Sequence, residues 1–244
     1  MTSSRWRRSG IRMETRVTDQ ACFILRRREW RNSSLILDLF SRDHGCIRAV
    51  ARGARRGGGR VPYEPFVLLS VNWSGRQELK TLQSVEGQVL SIDEANYLPL
   101  LYVNELINTL LPPAEPNEAV FAAYLRLLQH AVILLEEASL RRFELELLRS
   151  LGQLPDLDID ANSGQSLRPD AFYQFIADRG FIACASADAN SVNGEIILDW
   201  LREDYASDAV RRLAKSVLRH AIDFNLHGRT LKSRDMYLRI KGHS

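Results

Sequence analysis

The chain has 244 residues, 45% of them hydrophobic and 26% charged, with a net charge of +3. This is an ordinary composition for a soluble globular protein of one large or two smaller domains. No apolar run approaches the ~20 residues needed to span a bilayer, so no membrane-spanning helix is expected.

The charge is unevenly spread. Residues 1–60 hold 15 Arg against 5 acidic residues, a balance of +10, which leaves −7 for residues 61–244. That asymmetry points to a polyanionic partner at the N-terminal end. Residues 1–16 carry five Arg and no apolar core of a secretion signal. They are expected to form a disordered basic arm, with Met13 as an alternative start.

Residues 17–27 read as a strand that is apolar on both faces, and Ser33–Phe40 as a second, with Leu35, Leu37 and Leu39 alternating on one face. Asp43, His44 and Gly45 form a turn into a third strand, Cys46–Ala54. There Ile47, Ala49 and Ala51 point one way, and Arg48, Val50 and Arg52 the other. A loop with Gly57, Gly58 and Gly59 at its centre leads to strands over Phe66–Trp73 and Leu79–Val89. Five short strands over residues 17–92 predict a small barrel, for which the oligonucleotide-binding (OB) barrel is the natural candidate. A sandwich and an SH3-like barrel share the same local pattern.

From Tyr97 the apolar period becomes helical. One helix runs to Pro112-Pro113. A second is capped by Asn117 and carries apolar positions as far as Leu135. A third begins at Ser139 and ends at Gly152. A small hairpin is expected over residues 171–185, turning at Asp178-Arg179-Gly180. Helices follow over Ile196–Leu201, from Ser207 to Gly228, and over Leu231–Ile240. The fold class is therefore α+β, with an N-terminal five-stranded barrel and a mainly helical domain over residues 93–244.

Motifs for catalysis are missing. The Gly57–Gly59 loop lacks the Lys-Ser/Thr of a nucleotide-binding P-loop. The five His have no ligand spacing. Asp156, Asp158 and Asp160 alternate like a calcium loop but lack its glycine and closing Glu. Cys22, Cys46 and Cys184 lie far apart, which offers no zinc or redox pair and suits a reducing cytoplasm. Neither enzyme activity, cofactor nor metal is expected.

The basic end carries the functional signal. Arg26, Arg27, Arg28, Arg31, Arg48, Arg52, Arg55, Arg56 and Arg60, with Lys80, are the candidate phosphate contacts. Guanidinium groups neutralise phosphates and release counterions. Trp30, Tyr63 and Trp73 are the nearest rings, for each of which core packing competes with base stacking.

The segments Ser33–Phe40, Val50–Arg55, Pro65–Phe66, Gly75–Leu82, Tyr102–Leu106, Leu140–Leu145, Leu151–Gly152 and Leu231–Arg234 resemble, in order, the RecO family of bacterial recombination mediators. The resemblance spans residues 17–240. It implies an OB barrel followed by a helical domain, binding of single- and double-stranded DNA, and strand annealing without nucleotide hydrolysis. It further implies action with RecR and with the acidic tail of single-strand-binding protein to load RecA, in the cytoplasm at the nucleoid. Some members carry a four-cysteine zinc site in the helical domain. Only Cys184 lies there in this chain, so zinc is not expected. Leu140–Leu145 matches the family segment that receives the acidic tail, which makes Arg141 and Arg142 the candidate peptide contacts. The competing reading pairs them with Glu137, Glu144 or Glu146. An RNA-binding or ribosome-associated OB protein is the alternative function, and a nuclease with a hidden carboxylate site a third.

Overall fold

A computed structural model describes residues 16–55, 63–188 and 190–241. Most of the expected basic arm, and Arg56 and Arg60 with the glycine run between them, lie outside the described residues.

Strands β1 (Arg16–Trp30), β2 (Ser34–Ser41), β3 (Gly45–Ala51), β4 (Val67–Ser74) and β5 (Leu79–Val89) close into a barrel in the order β1-β2-β3-β5-β4. The β3–β5 seam is parallel and the other pairings are antiparallel. This closed order is that of an OB barrel and excludes a two-sheet sandwich. Strand alternation builds the interior. Cys22, Ile24, Leu35, Leu37, Leu39, Ile47, Ala49, Val67, Leu69 and Trp73 form one buried cluster inside it. Trp73 is thus a core residue, 2% exposed.

The third strand ends at Ala51 and not at Ala54. Gly53 has φ +74°, and the Arg55 amide turns back to donate to the Ser33 carbonyl at 3.0 Å, which closes a turn against the β1–β2 connection.

Helices follow the barrel: α1 (Tyr97–Leu110), α2 (Glu118–His130), α3 (Glu137–Ser150), α4 (Gly194–Leu201), α5 (Asp208–Asn225) and α6 (Lys232–Lys241). Asn117 caps α2 and Ser207 caps α5 through side-chain oxygens. The second helix stops at His130, short of Leu135, because buried Asn96 takes over the chain. Its amide donates to the carbonyls of Ala131 (2.9 Å) and Ile133 (2.7 Å), and its oxygen accepts from the Leu135 amide (2.9 Å). The hairpin is β6 (Phe172–Ile176) with β7 (Gly180–Cys184). A strand the sequence pattern did not suggest, β8 (Val192–Asn193), joins β6 on its other edge. Asp160 spends its oxygens locally on the Ser163 hydroxyl and the Ala183 and Asn162 amides. The Ser163 bond holds its carboxyl below the usual range.

Part of the barrel's outer wall bolts it to the helices. Phe23 and Phe40 leave the barrel and meet Phe121 and Tyr124 of α2, with Phe23 centroid distances of 5.4 and 5.0 Å. Immediately beyond, β1 has a register shift between Ile24 and Arg26. Asn104 of α1 reaches this bulge. Its amide donates to the carbonyls of Ile24 (3.4 Å) and Leu25 (3.3 Å), while its oxygen accepts from the Tyr124 hydroxyl (2.5 Å). Asn104 and Tyr124 are both buried. Replacing Asn104 with the near-isosteric Leu leaves three buried polar groups short of a partner. The expected destabilisation is about 2–3 kcal/mol, read as a lower denaturant midpoint at unchanged m. An unaltered midpoint would contradict this role for Asn104.

Candidate nucleic-acid interface

Residues directly opposite in a ladder share a face, and faces alternate along each strand. Across β1 and β2, Arg26 faces Asp38, Arg28 faces Ile36 and Trp30 faces Ser34. Across β2 and β3, Asp38 faces Arg48 and Ile36 faces Val50. Across β3 and β5, Arg48 faces Leu79 and Val50 faces Thr81. All of these lie on the barrel's outer face, because Leu35, Leu37, Ala49 and Ala51 between them point inward. Arg26, Arg28 and Arg48 therefore share one wall with Trp30. Arg31 and Arg52 stand at its end, where they line a groove with Trp30, Val50 and Leu79.

Asp38 is the wall's internal counter-charge. It is 6% exposed and sits between two guanidiniums, with Arg48 Nε at 2.9 Å and Arg28 at 3.6 Å. Arg48 also lies 3.5 Å from exposed Glu78. Arg26, Arg31 and Arg52 make no ion pair among the described residues. Exposed pairs such as Arg48–Glu78 are worth only about 0–1 kcal/mol, so a phosphate oxygen can replace the carboxylate at little cost.

The other candidates lie elsewhere. Arg27 faces Leu37 and belongs to the barrel's inner side, where it pairs with Glu64 and donates to the Tyr63 carbonyl at 3.3 Å. Arg55 pairs with Glu29 at 3.1 Å and donates to the Arg31 carbonyl at 3.4 Å, a brace for the β1–β2 turn. Lys80 faces buried Ala49 and donates to the Gly75 carbonyl at 3.3 Å, apart from the wall. Among the rings, Tyr63 packs against the barrel core and Trp30 is 43% exposed.

A second concave site lies in the helical region. Leu98, Tyr102, Leu140, Arg141, Arg234 and Leu238 line it, with Lys215 and Arg219 of α5 and with Glu136 and Glu137, the latter 3.2 Å from Lys215. Glu144, fully buried, anchors it. The Arg141 guanidinium donates to one carboxylate oxygen at 2.6 Å and the Tyr102 hydroxyl to the other at 2.8 Å. Burial pushes the Glu144 carboxyl up, against the opposing pull of Arg141 and Tyr102. Arg141 Nε is desolvated and has no hydrogen-bond partner among the described residues. Arg142 points away, 3.2 Å from Glu203 and 4.8 Å over the Tyr205 ring. The pairing of Arg141 with Glu144 is one that local spacing allows. The Glu203 partner of Arg142 is 61 residues distant and invisible to spacing.

Two family models cover almost the whole chain. Recombination protein O N terminal matches residues 13–88, and Recombination protein O C terminal matches residues 93–235. The chain belongs to the RecO family. It is similar to the DNA repair protein RecO of Methylococcus capsulatus, 36% identical over 91% of this chain and 94% of that protein. It is also similar to the DNA repair protein RecO of Pectobacterium atrosepticum, 37% identical over 89% and 91%. That of Ralstonia nicotianae is 33% identical over 95% and 88%. RecO membership supports a role in DNA repair and recombination. It also gives Tyr102–Leu106, one of the segments that carry the resemblance, a physical meaning. Tyr102 holds Glu144 and Asn104 holds the barrel. The Glu105 carboxylate accepts from the Lys232 and Ser233 amides, both at 2.9 Å, which caps α6. Three separate parts of the molecule, α3, β1 and α6, are thus tied by about one turn of α1.

Proposed function

We propose that this chain is a non-catalytic DNA-binding and strand-annealing mediator whose barrel wall holds phosphates. The observation that carries this reading is the register that gathers Arg26, Arg28, Arg31, Arg48 and Arg52 on one side of an OB barrel in a RecO-family chain. Annealing requires two polyanions to approach with their charge screened, which a basic wall accomplishes without bond chemistry. Arg27 and Arg55, paired with Glu64 and Glu29, add to the positive field beside the wall. Arg56 and Arg60 lie outside the described residues, and we assign them to the same phosphate-binding region by their place in the sequence. Lys80 contributes through that field and not by contact. The involvement of RecR and the loading of RecA rest on family resemblance alone.

The test uses the three wall arginines that hold no carboxylate. Arg26→Ala, Arg31→Ala and Arg52→Ala combined should weaken binding to single strands of any sequence. The log–log dependence of affinity on salt should become shallower by about 2, roughly 0.7 per lost phosphate contact. Annealing of complementary oligonucleotides without ATP should slow in parallel. An unchanged salt slope would show that phosphates bind elsewhere.

We further propose that the helical groove receives the acidic C-terminal tail of single-strand-binding protein. Support comes from its chemistry: apolar Leu98, Leu140 and Leu238 beside Arg141, Lys215, Arg219 and Arg234, four cations that outnumber the groove's Glu136 and Glu137, suit an acidic peptide that ends in an apolar residue. Arg142, turned toward Glu203, would act only through its charge. Arg141 is unsuitable for a clean test, since its loss would strand buried Glu144 at about 3–5 kcal/mol. Lys215 and Arg219 are 59% and 68% exposed and pair only at the surface, with Glu137 at 3.2 Å and Asp223 at 3.8 Å, so their charge can be reversed without touching the core. The double variant Lys215→Glu, Arg219→Glu should lose about tenfold or more in affinity for an acidic tail peptide and keep its DNA affinity. Equal peptide binding by parent and variant would remove the groove from the mechanism.

A further inference from the structure

The end of the basic wall holds a feature that phosphate binding does not use. Trp30 is the last residue of β1 and remains 43% exposed, although its register partner Ser34 is buried. It borders a groove of about 910 Å³ between the β1–β2 turn, the end of β3 and the start of β5. Opposite it, Leu79 is 39% exposed and Val50 half-buried. Ser33, Ser34, Thr81, Asn32 and Gly53 also line it, and no carboxylate is among its described residues. Arg31 and Arg52 flank it, with the Arg31 guanidinium 6.0 Å from the Trp30 ring centre.

Leaving an indole and a leucine in water is unfavourable by about 25 cal/mol per Å² of apolar surface, and register holds both on the outer face. An occupant that covers them must be flat, apolar on its face, polar at its edge and attached to negative charge. A duplex offers phosphates but keeps its bases stacked inside. An unpaired nucleotide offers all four properties at once. Resting on the proposed DNA-binding wall, we infer that this groove is a stacking subsite for one unpaired nucleobase, with Trp30 as its platform and Arg31 and Arg52 holding the adjoining phosphates. The subsite therefore selects single strands, whereas Arg26, Arg28 and Arg48 accept either form. Stacking grips the face of a base and not its pairing edge, so a strand held here remains able to meet its complement.

Trp30→Ala and Trp30→Phe test this with three probes at fixed salt: oligothymidylate, the same strand with abasic sites in place of its bases, and a duplex of equal length. Trp30→Ala should lose about tenfold in affinity for oligothymidylate and leave its salt slope unaltered. It should bind duplex and abasic strand as the parent does, so that the parent's preference for oligothymidylate over the abasic strand vanishes. Trp30→Phe should keep most of that preference. Unchanged oligothymidylate binding by Trp30→Ala would overturn the subsite. So would an equal loss on all three probes, which would mark a general effect on the wall. The wall itself is judged separately by the arginine variants: if they weaken DNA binding and Trp30→Ala does not, only the subsite falls.

Discussion

Much of this molecule turns on one of the two register shifts in β1, the bulge at Leu25, and on the Asn104 amide that satisfies it. From Gln20, after an earlier register shift against β4, to Ile24 the strand alternates between the barrel core and the helices, with Cys22 and Ile24 inward and Phe23 outward. Continued without interruption, that alternation would turn Arg26, Arg28 and Trp30 into the barrel and Arg27 and Glu29 out of it. One extra residue reverses the phase, as a one-residue slip always does in a strand. The bulge leaves the Leu25 carbonyl without a ladder partner, and α1 supplies a donor from Asn104. The same contact that docks the barrel on the helical domain therefore decides which arginines reach solvent together.

The outer wall is divided as a result. At one end Phe23 and Phe40 are sealed against Phe121 and Tyr124. At the other, beyond the bulge, guanidiniums replace the aromatics. Asp38 lies just past the boundary and is kept nearly dry between Arg28 and Arg48. Two cations around one carboxylate leave a net positive charge held in place, a better arrangement for a polyanion than long side chains free to spread apart. The thiols take no part in this. Burial pushes Cys22 and Cys46 up to about 12, which leaves them inert packing groups.

Alternation in the second and third strands and helical spacing after Tyr97 were legible from the residues, as were the caps Asn117 and Ser207. These depend on neighbours within one turn or one pleat. What could not be read depends on partners far along the chain. The bulge needs Asn104, 79 residues from Leu25, to make it affordable. The end of α2 needs Asn96, and the start of α6 needs Glu105. The basic cluster was visible as composition, but its members part company in space. Arg26, Arg28 and Arg48 join one wall, while Arg27 and Lys80 fall on the other parity. The aromatic rings divide in the same way: Trp73 is enclosed because it lies on the inward face of the wall strand β4, and Trp30 is exposed because it ends β1 on the outer face.

Arginine-selective labelling with phenylglyoxal, read residue by residue by mass spectrometry with and without a saturating oligonucleotide, addresses the wall most directly. DNA is expected to protect Arg26, Arg28, Arg48 and Arg52 while Arg149, Arg179 and Arg202 of the helical region label as before. Protection concentrated on Arg219 and Arg234, with the barrel arginines still reactive, would contradict the assignment of the barrel wall to DNA.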